Sequence, residues 1–342
     1  MIRRIKHAST ATCTLPIYMG FLMTEPNSIS CTQLAETYNI SHDSVNRFLE
    51  REDYTPHDLY QEAIQHIDNN KLIVSIDDTV LDKPYSQHMD LVSYFWSGKH
   101  HRSVKGINLI TLYATDQNGQ NIPINFRIYD KSEGKTKNDY FMDMLSEVLS
   151  WGAKIQFITG DSWYSSTGNL KTIRKYGIRF MFGIDCNRKV SPEKGQWFQL
   201  RLLPDFHQGQ VVWLKDFGFV QLFKTQLKEQ QRFYIVHQDE DDLLSFEGFH
   251  ELHSSHWKIE QYHRVIKQVC HIEKFQVRRS KLILNHIFSA LMAYVEIQKN
   301  QFERIFENVY RWQKKLFRPM IKNFIDDFIL DKNHLLPQRI YK

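Results

Sequence analysis

The chain has 342 residues, 42% hydrophobic and 24% charged, with 14 Gly, 9 Pro and 44 Lys+Arg against 39 Asp+Glu. That balance excludes a disordered, collagenous or low-complexity chain and describes a folded protein, of two domains or of one large domain with an appendage and an insertion. The four cysteines, Cys13, Cys31, Cys186 and Cys270, form no Cys-x-x-Cys pair, so neither a disulfide framework nor a cysteine zinc site is expected and a reducing cytoplasm fits. The basic start Met1-Ile2-Arg3-Arg4 leads into no apolar run, and the most apolar segment, 282–297, is broken by Asn285, His286 and Glu296. Neither a signal peptide nor a membrane span is expected.

Charge is distributed unevenly. Residues 1–70 carry 5 basic and 9 acidic groups, 71–252 carry 22 of each, and 253–342 carry 17 and 8. The positive excess in the last quarter suits a polyanion surface, because each neutralised phosphate releases counterions. A solvated helical face is the alternative.

In chain order, residues 29–50 predict two short helices: Leu34 and Ala35 inward on the first, a turn at Asn39-Ile40-Ser41, and a second helix capped by Ser41 with Val45, Phe48 and Leu49 inward. This is a helix-turn-helix pattern whose outward residues, His42, Asp43, Ser44, Asn46 and Arg47, would read base edges. An ordinary helical hairpin would give the same pattern. From residue 71 the sequence turns to strands at 71–78, 106–116 and 122–130, the last two joined by the turn Asp116-Gln117-Asn118-Gly119. A helix over 138–149, a strand over 154–161, a helix over 167–176 and a strand over 178–184 follow.

The order β-β-β-α-β-α-β is that of a ribonuclease-H-like α/β fold, a mixed sheet flanked by helices. Strand-like pieces at 211–214, 218–223 and 232–237 mark residues 186–250 as a β-rich insertion, and from 251 the pattern is helical. The expected organisation is an N-terminal helical DNA-binding region (1–70), a catalytic core (71–185 and 251–300) split by the insertion, and a C-terminal helical tail (301–342).

Three acidic positions stand out: Asp77/Asp78 ending the first strand, Asp161 ending the fourth, and Glu260 on the first helix after the insertion. In this topology the two strands are neighbours and the returning helix crosses their ends. Three carboxylates so placed can hold two divalent cations about 3.5–4 Å apart, which activate an attacking oxygen and stabilise a leaving one. Oxygen ligands suit Mg²⁺ or Mn²⁺. A strand-terminal Asp can also be a turn former or cap, so the joint pattern carries the argument.

Steps of three, four and seven put His253, His256, Glu260, Arg264 and Lys267 on one helical side, a carboxylate among groups that could hold phosphates. A Glu260–Arg264 ion pair is the bland reading, and zinc on His253, His256 and His263 lacks the HExxH spacing. The link 96–105, with Lys99, Arg102 and Lys105, could follow a DNA backbone. Trp197 or Trp213 could stack on a flipped base, although core packing is the commoner role. Phe288, Leu291, Tyr294, Phe302, Phe306, Trp312 and Phe317 recur at helical intervals as a packing surface.

Ile76-Asp77-Asp78-Thr79, Gly160-Asp161-Ser162-Trp163-Tyr164 and Trp257-Lys258-Ile259-Glu260-(six residues)-Lys267 resemble the DDE motifs of bacterial insertion-sequence transposases. The branch they resemble has a Tyr-x2-Arg-x3-Glu-x6-Lys signature and a ribonuclease-H-like core split by a β insertion. The resemblance implies Asp78, Asp161 and Glu260 as the metal triad, two Mg²⁺, Lys267 on DNA phosphate, and a homodimer acting on transposon ends and target DNA. Alternation along the first strand does not choose between Asp77 and Asp78, since both faces of a central strand are buried; the resemblance favours Asp78. His253 and His256 stand where the signature has Tyr and Arg, which in the family hold the cleaved strand around a flipped base in a hairpin intermediate. A histidine pair binds phosphate more weakly and with a pH dependence. A nuclease that does not join strands and a binder that does not cut are the rival readings.

Overall fold

The second, third and fourth helices each begin at a side-chain cap. The computed structural model describes residues 11–25, 29–98, 100–204, 206–227, 230–238 and 242–333. After α1 (Leu15–Thr24), Ser30 accepts from the Gln33 amide to start α2 (Cys31–Tyr38), Ser41 from the Asp43 amide to start α3 (His42–Arg51), and a Thr55/Asp58 capping box starts α4 (Pro56–Ala63). Asn39 closes α2 at φ 50°, so asparagine here does the left-handed work usually given to glycine. Leu34, Ala35, Val45, Phe48 and Leu49 are buried as expected. Ser44 is a correction: it is buried rather than outward, its Oγ accepting from the amides of Thr12 (2.6 Å) and Cys13 (2.9 Å).

The strands are β1 (Leu72–Asp82), β2 (Ser93–Ser97), β3 (Arg102–Thr115), β4 (Asn121–Ile128), β5 (Ile155–Gly160) and β6 (Arg179–Ile184), with α5 (Lys137–Ser150) and α6 (Thr167–Lys175) as crossovers. β4 and β2 pair antiparallel along one edge of β3, β3 antiparallel with β1, and β1, β5 and β6 run parallel. This is the mixed sheet expected, with two differences. The first strand runs on to Asp82 instead of ending at its carboxylates, and the 96–105 link is an edge hairpin made by β2 and the start of β3 rather than a loop.

The insertion does not form a separate layer. Its strands β7 (Lys189–Ser191), β8 (Phe198–Gln199), β9 (Gln210–Leu214), β10 (Gly218–Leu227) and β11 (Gln230–His237) extend the same sheet, because β11 pairs antiparallel with β6. The helices α7 (Phe246–Gln268), α8 (Ser280–Phe302) and α9 (Val309–Asn333) follow. Tyr113 of β3 stacks on Tyr262 of α7 at 4.8 Å, and Tyr294 of α8 packs edge-on to Tyr262, so both helices cover one face of the sheet. Ring contacts of this kind add about 0.5–1.5 kcal/mol each beyond burial.

Buried α8 also carries the N-terminal helices: Asn285 donates to the carbonyls of Leu49 and Glu52 (2.7 Å each), and Tyr54 stacks on Phe288 at 4.2 Å. The main hydrophobic core therefore runs from Cys13 to Val309, and a second cluster gathers around Phe223, Tyr234 and Phe249. Phe288, Leu291 and Tyr294 lie within it, while Phe302, Phe306 and Trp312 pack at its margin. Trp197 and Trp213 are not core residues; they keep 44% and 43% of their surface. Among the described residues no helix is long and apolar enough to cross a membrane.

Candidate active site

The parallel ladder of β1 and β5 ends with Ile76 opposite Gly160. The next residues, Asp77 and Asp161, are thus brought side by side at the end of the ladder. Gly160 makes this approach possible, since a Cβ there would lie 2.6 Å from Phe182 and 2.8 Å from Ile76. Asp161 then turns the chain, its carboxylate accepting from the Trp163 amide at 2.9 Å. From above this face, α7 contributes Glu260 and His263. Among the described residues, Asp77, Glu260 and His263 form a group whose ligand atoms all lie within 4.8 Å of one another.

Alternation along β1 turns Asp78 to the other face. There its carboxylate accepts from Asn108 Nδ2 (2.6 Å), Lys137 Nζ (2.7 Å) and Tyr164 OH (2.9 Å). Asp78 thus accepts from three donors, while Asp77 takes the Asp78 amide (2.8 Å) and lies among other carboxylates; the Asp78 charge still acts on both Asp77 and Asp161. Burial first, then the charges of Asp78, Asp161 and Glu260, push the Asp77 carboxyl well above the usual range. Burial and Asp78 push Asp161 up to about 6, against the opposing Trp163 and Tyr164 amides and Lys137. His263 Nδ1 lies 3.5 Å from Asp77, but burial and Lys267 hold the imidazole down at about 3, so the pair is a neutral ring beside an acid.

The remaining expected residues divide by exposure. His256 is pushed down to about 4 by burial and hydrogen-bonds Thr159 Oγ1 (3.2 Å). His253 is lowered by burial and contacts Tyr234 OH (3.0 Å). Both are neutral at pH 7 and turned to the sheet, which is not the cationic pair expected from the helical stripe. Lys267 donates to the Val80 carbonyl at 2.6 Å. Arg264 and Glu260 are exposed on α7, and no ion pair forms between them. On α3, Asn46 contacts His42 (3.2 Å) and Arg47 lies 3.9 Å from Asp43, at the surface. Arg102 is exposed; Lys105 is turned inward onto the Ser86 carbonyl; Lys99 lies outside the described residues. His263 was weighed only for zinc, yet its place one turn from Glu260 was the available signal.

Acids gathered where a parallel ladder ends in such a sheet are an arrangement suited to holding divalent metals for phosphoryl transfer. Residues 68–295 of the chain match the family model described as the transposase DDE domain, and the chain belongs to that family. No curated protein matches it. Among solved structures, the Argonaute of Marinitoga piezophila, determined with 5′-OH guide RNA and target DNA, aligns over 68% of this chain at 10% identity and a TM-score of 0.22. The chain spans about a third of that protein, 33%, and the likeness is too loose to bear on function.

Proposed function

We propose that the chain is an insertion-sequence transposase that binds the terminal inverted repeats of its element, cleaves there and joins the 3′-hydroxyl ends to target DNA. Asp77, Asp161 and Glu260 would be its metal-holding carboxylates. The observation that supports this assignment is the convergence of Asp77 and Glu260 beside Asp161, with the Asp78 carboxylate taken up by three donors. The donor set fits: a buried carboxyl raised by three neighbouring acids is a place where a cation relieves repulsion, and oxygen ligands suit Mg²⁺ or Mn²⁺. Two such ions, when bound, supply activation of the attacking oxygen and stabilisation of the leaving one.

The chain's own residues do the rest. Asn108, Lys137 and Tyr164 fix Asp78, and through it the adjoining peptide that aims Asp77. His263, held neutral, offers a lone pair or an N–H to the cluster without adding charge. Exposed Arg264 is available to a phosphate beside Glu260, and Lys267 can reach one by leaving the Val80 carbonyl. His253 and His256 would act as hydrogen-bonding groups, not cations. Asn46 and Arg47 present the helix-turn-helix surface for end recognition, Arg102 a phosphate contact at the edge hairpin, and the working form on DNA would be a homodimer in the cytoplasm. The test is strand transfer: a labelled duplex with the element's pre-cleaved terminal repeat, a target plasmid and Mg²⁺. Joined product is expected from the wild type and none from Glu260→Gln; nicking without joining would make the protein a nuclease instead.

A further inference from the structure

Between α7 and α8, residues 271–279 form no helix or strand, yet they are held in place at both ends. The Lys83 ammonium, at the end of β1, donates to the carbonyls of Glu273 and Phe275 (2.7 Å each) and sits 3.3 Å from the centre of the Phe275 ring. The Asp90 amide donates to the Arg278 carbonyl (2.8 Å), and the Asp90 carboxylate accepts from the amide and hydroxyl of Ser280 (2.8 and 2.9 Å). Arg279 is tied to Glu50 of α3 at 2.9 Å.

The nearby acids are engaged: Glu273 faces Lys267 at 3.9 Å, Asp82 meets His100 at 3.1 Å, and Asp90 and Glu50 are as above. Lys274, Arg278 and Lys281, by contrast, are exposed and make no ion pair among the described residues. Arg278 stands between two clefts. One of about 400 Å³ is lined also by His42 and Asn46 of α3, and another of about 440 Å³ also by Tyr85 and His88.

We propose that this strap is a phosphate-backbone contact for double-stranded DNA, running between the helix-turn-helix helix α3 and the carboxylate cluster; it rests on the transposase reading for the identity of its partner. The backbone that carries these three unneutralised cations is already fixed by hydrogen bonds, so only their side chains lose freedom on binding. The distance also suits a duplex. Asp77 and Lys83 lie six residues apart on and just beyond β1, about 20 Å at 3.3 Å per residue, or about six base steps at 3.4 Å. A duplex with one phosphate at the carboxylate cluster can therefore reach, about six base steps on, the end of the strap that Lys83 holds.

The test is the salt dependence of binding by the full chain to a fluorescein-labelled duplex of arbitrary sequence, without metal. The triple variant Lys274→Gln/Arg278→Gln/Lys281→Gln should reduce the slope of log K against log[salt] by about two to three, about 0.9 per lost contact. Its melting temperature should match the wild type, because none of the three side chains holds the fold. An unchanged slope in a folded variant overturns the proposal. A reduced slope in a protein that never cuts DNA would uphold the strap and refute the transposase reading, while full cutting with an unchanged slope would do the reverse.

Discussion

The two adjacent aspartates should respond in opposite ways to loss of charge. Asp78 accepts three short hydrogen bonds, one from the Lys137 ammonium, and its side chain is 16% exposed. Bonds to a charged, well-buried group contribute about 1.5–3 kcal/mol each. Asp78→Asn keeps one acceptor oxygen but sets an amide N–H against donors, for an expected cost of about 3 kcal/mol in all. With about 2.1 cal/mol/K of unfolding entropy per residue, that is a fall of about 4 °C in Tm for a chain of this length. Asp77→Asn acts on a carboxyl whose folded-state pKa lies above its unfolded value. Such a group is neutral and harmless at low pH, and its ionisation costs stability as the pH rises from about 4 through the folded pKa. At pH 7 without metal, Asp77→Asn should therefore melt at or above the wild type. Addition of Mg²⁺ should raise Tm in the wild type and in Asp78→Asn, and much less in Asp77→Asn. The assay is differential scanning calorimetry in EDTA and in Mg²⁺. If Asp78→Asn melts like the wild type and loses the Mg²⁺ response, Asp78 is the ligand and the reasoning from the two faces of β1 is wrong.

Other outcomes follow from the same geometry. Glu260→Gln should lower metal-dependent cleavage by at least about 10²-fold while leaving DNA affinity in EDTA unchanged; equal loss of both would place Glu260 in the DNA contact alone. His286 is buried, pushed down to about 3 and bonded to Tyr18 OH at 2.8 Å. Its depressed value means stability is complete above about pH 6.5 and is lost as pH falls toward 3, so His286→Asn should show a shallower fall in Tm over that window; parallel curves would refute the assignment. Ser44→Ala removes the acceptor for two main-chain amides and should cost about 1–3 kcal/mol in a chemical-denaturation midpoint; a neutral result would mean that water replaces it. Asn39→Gly should be tolerated and Asn39→Val should destabilise by about 1–2 kcal/mol, because only the former accepts φ 50° freely.

Much of this architecture was legible locally. The cap at Ser41, the Asp116–Gly119 turn and the apolar spacing of α5 are properties of a few neighbouring residues, and so could be read before folding. The choice between Asp77 and Asp78 could not, because both faces of β1 are covered; the β1–β5 register and α7 overhead, on which the proposal of Asp77 rests, are long-range features. The stripe on α7 was read with the right spacing, but its edge facing the sheet, which neutralises His253 and His256 by burial, is set by packing from elsewhere. Ser44 looked outward because its partners, the amides of Thr12 and Cys13, come from a segment about thirty residues earlier. β2 is a five-residue edge strand bounded by serines, too short and polar to announce itself. The merging of the insertion into the main sheet depends on β6 meeting β11, a long-range pairing with no local signature.

The central claim is that DNA is cut and joined on divalent metal held by Asp77, Asp161 and Glu260. The most direct measurement is strand transfer of a pre-cleaved, labelled terminal-repeat duplex into plasmid, run side by side for wild type, Asp77→Asn and Asp78→Asn in Mg²⁺ and in EDTA. Joined product from the wild type and Asp78→Asn in Mg²⁺, none from Asp77→Asn and none in EDTA, is the predicted result. Joining by Asp77→Asn at the wild-type rate, or joining that persists in EDTA, would contradict it.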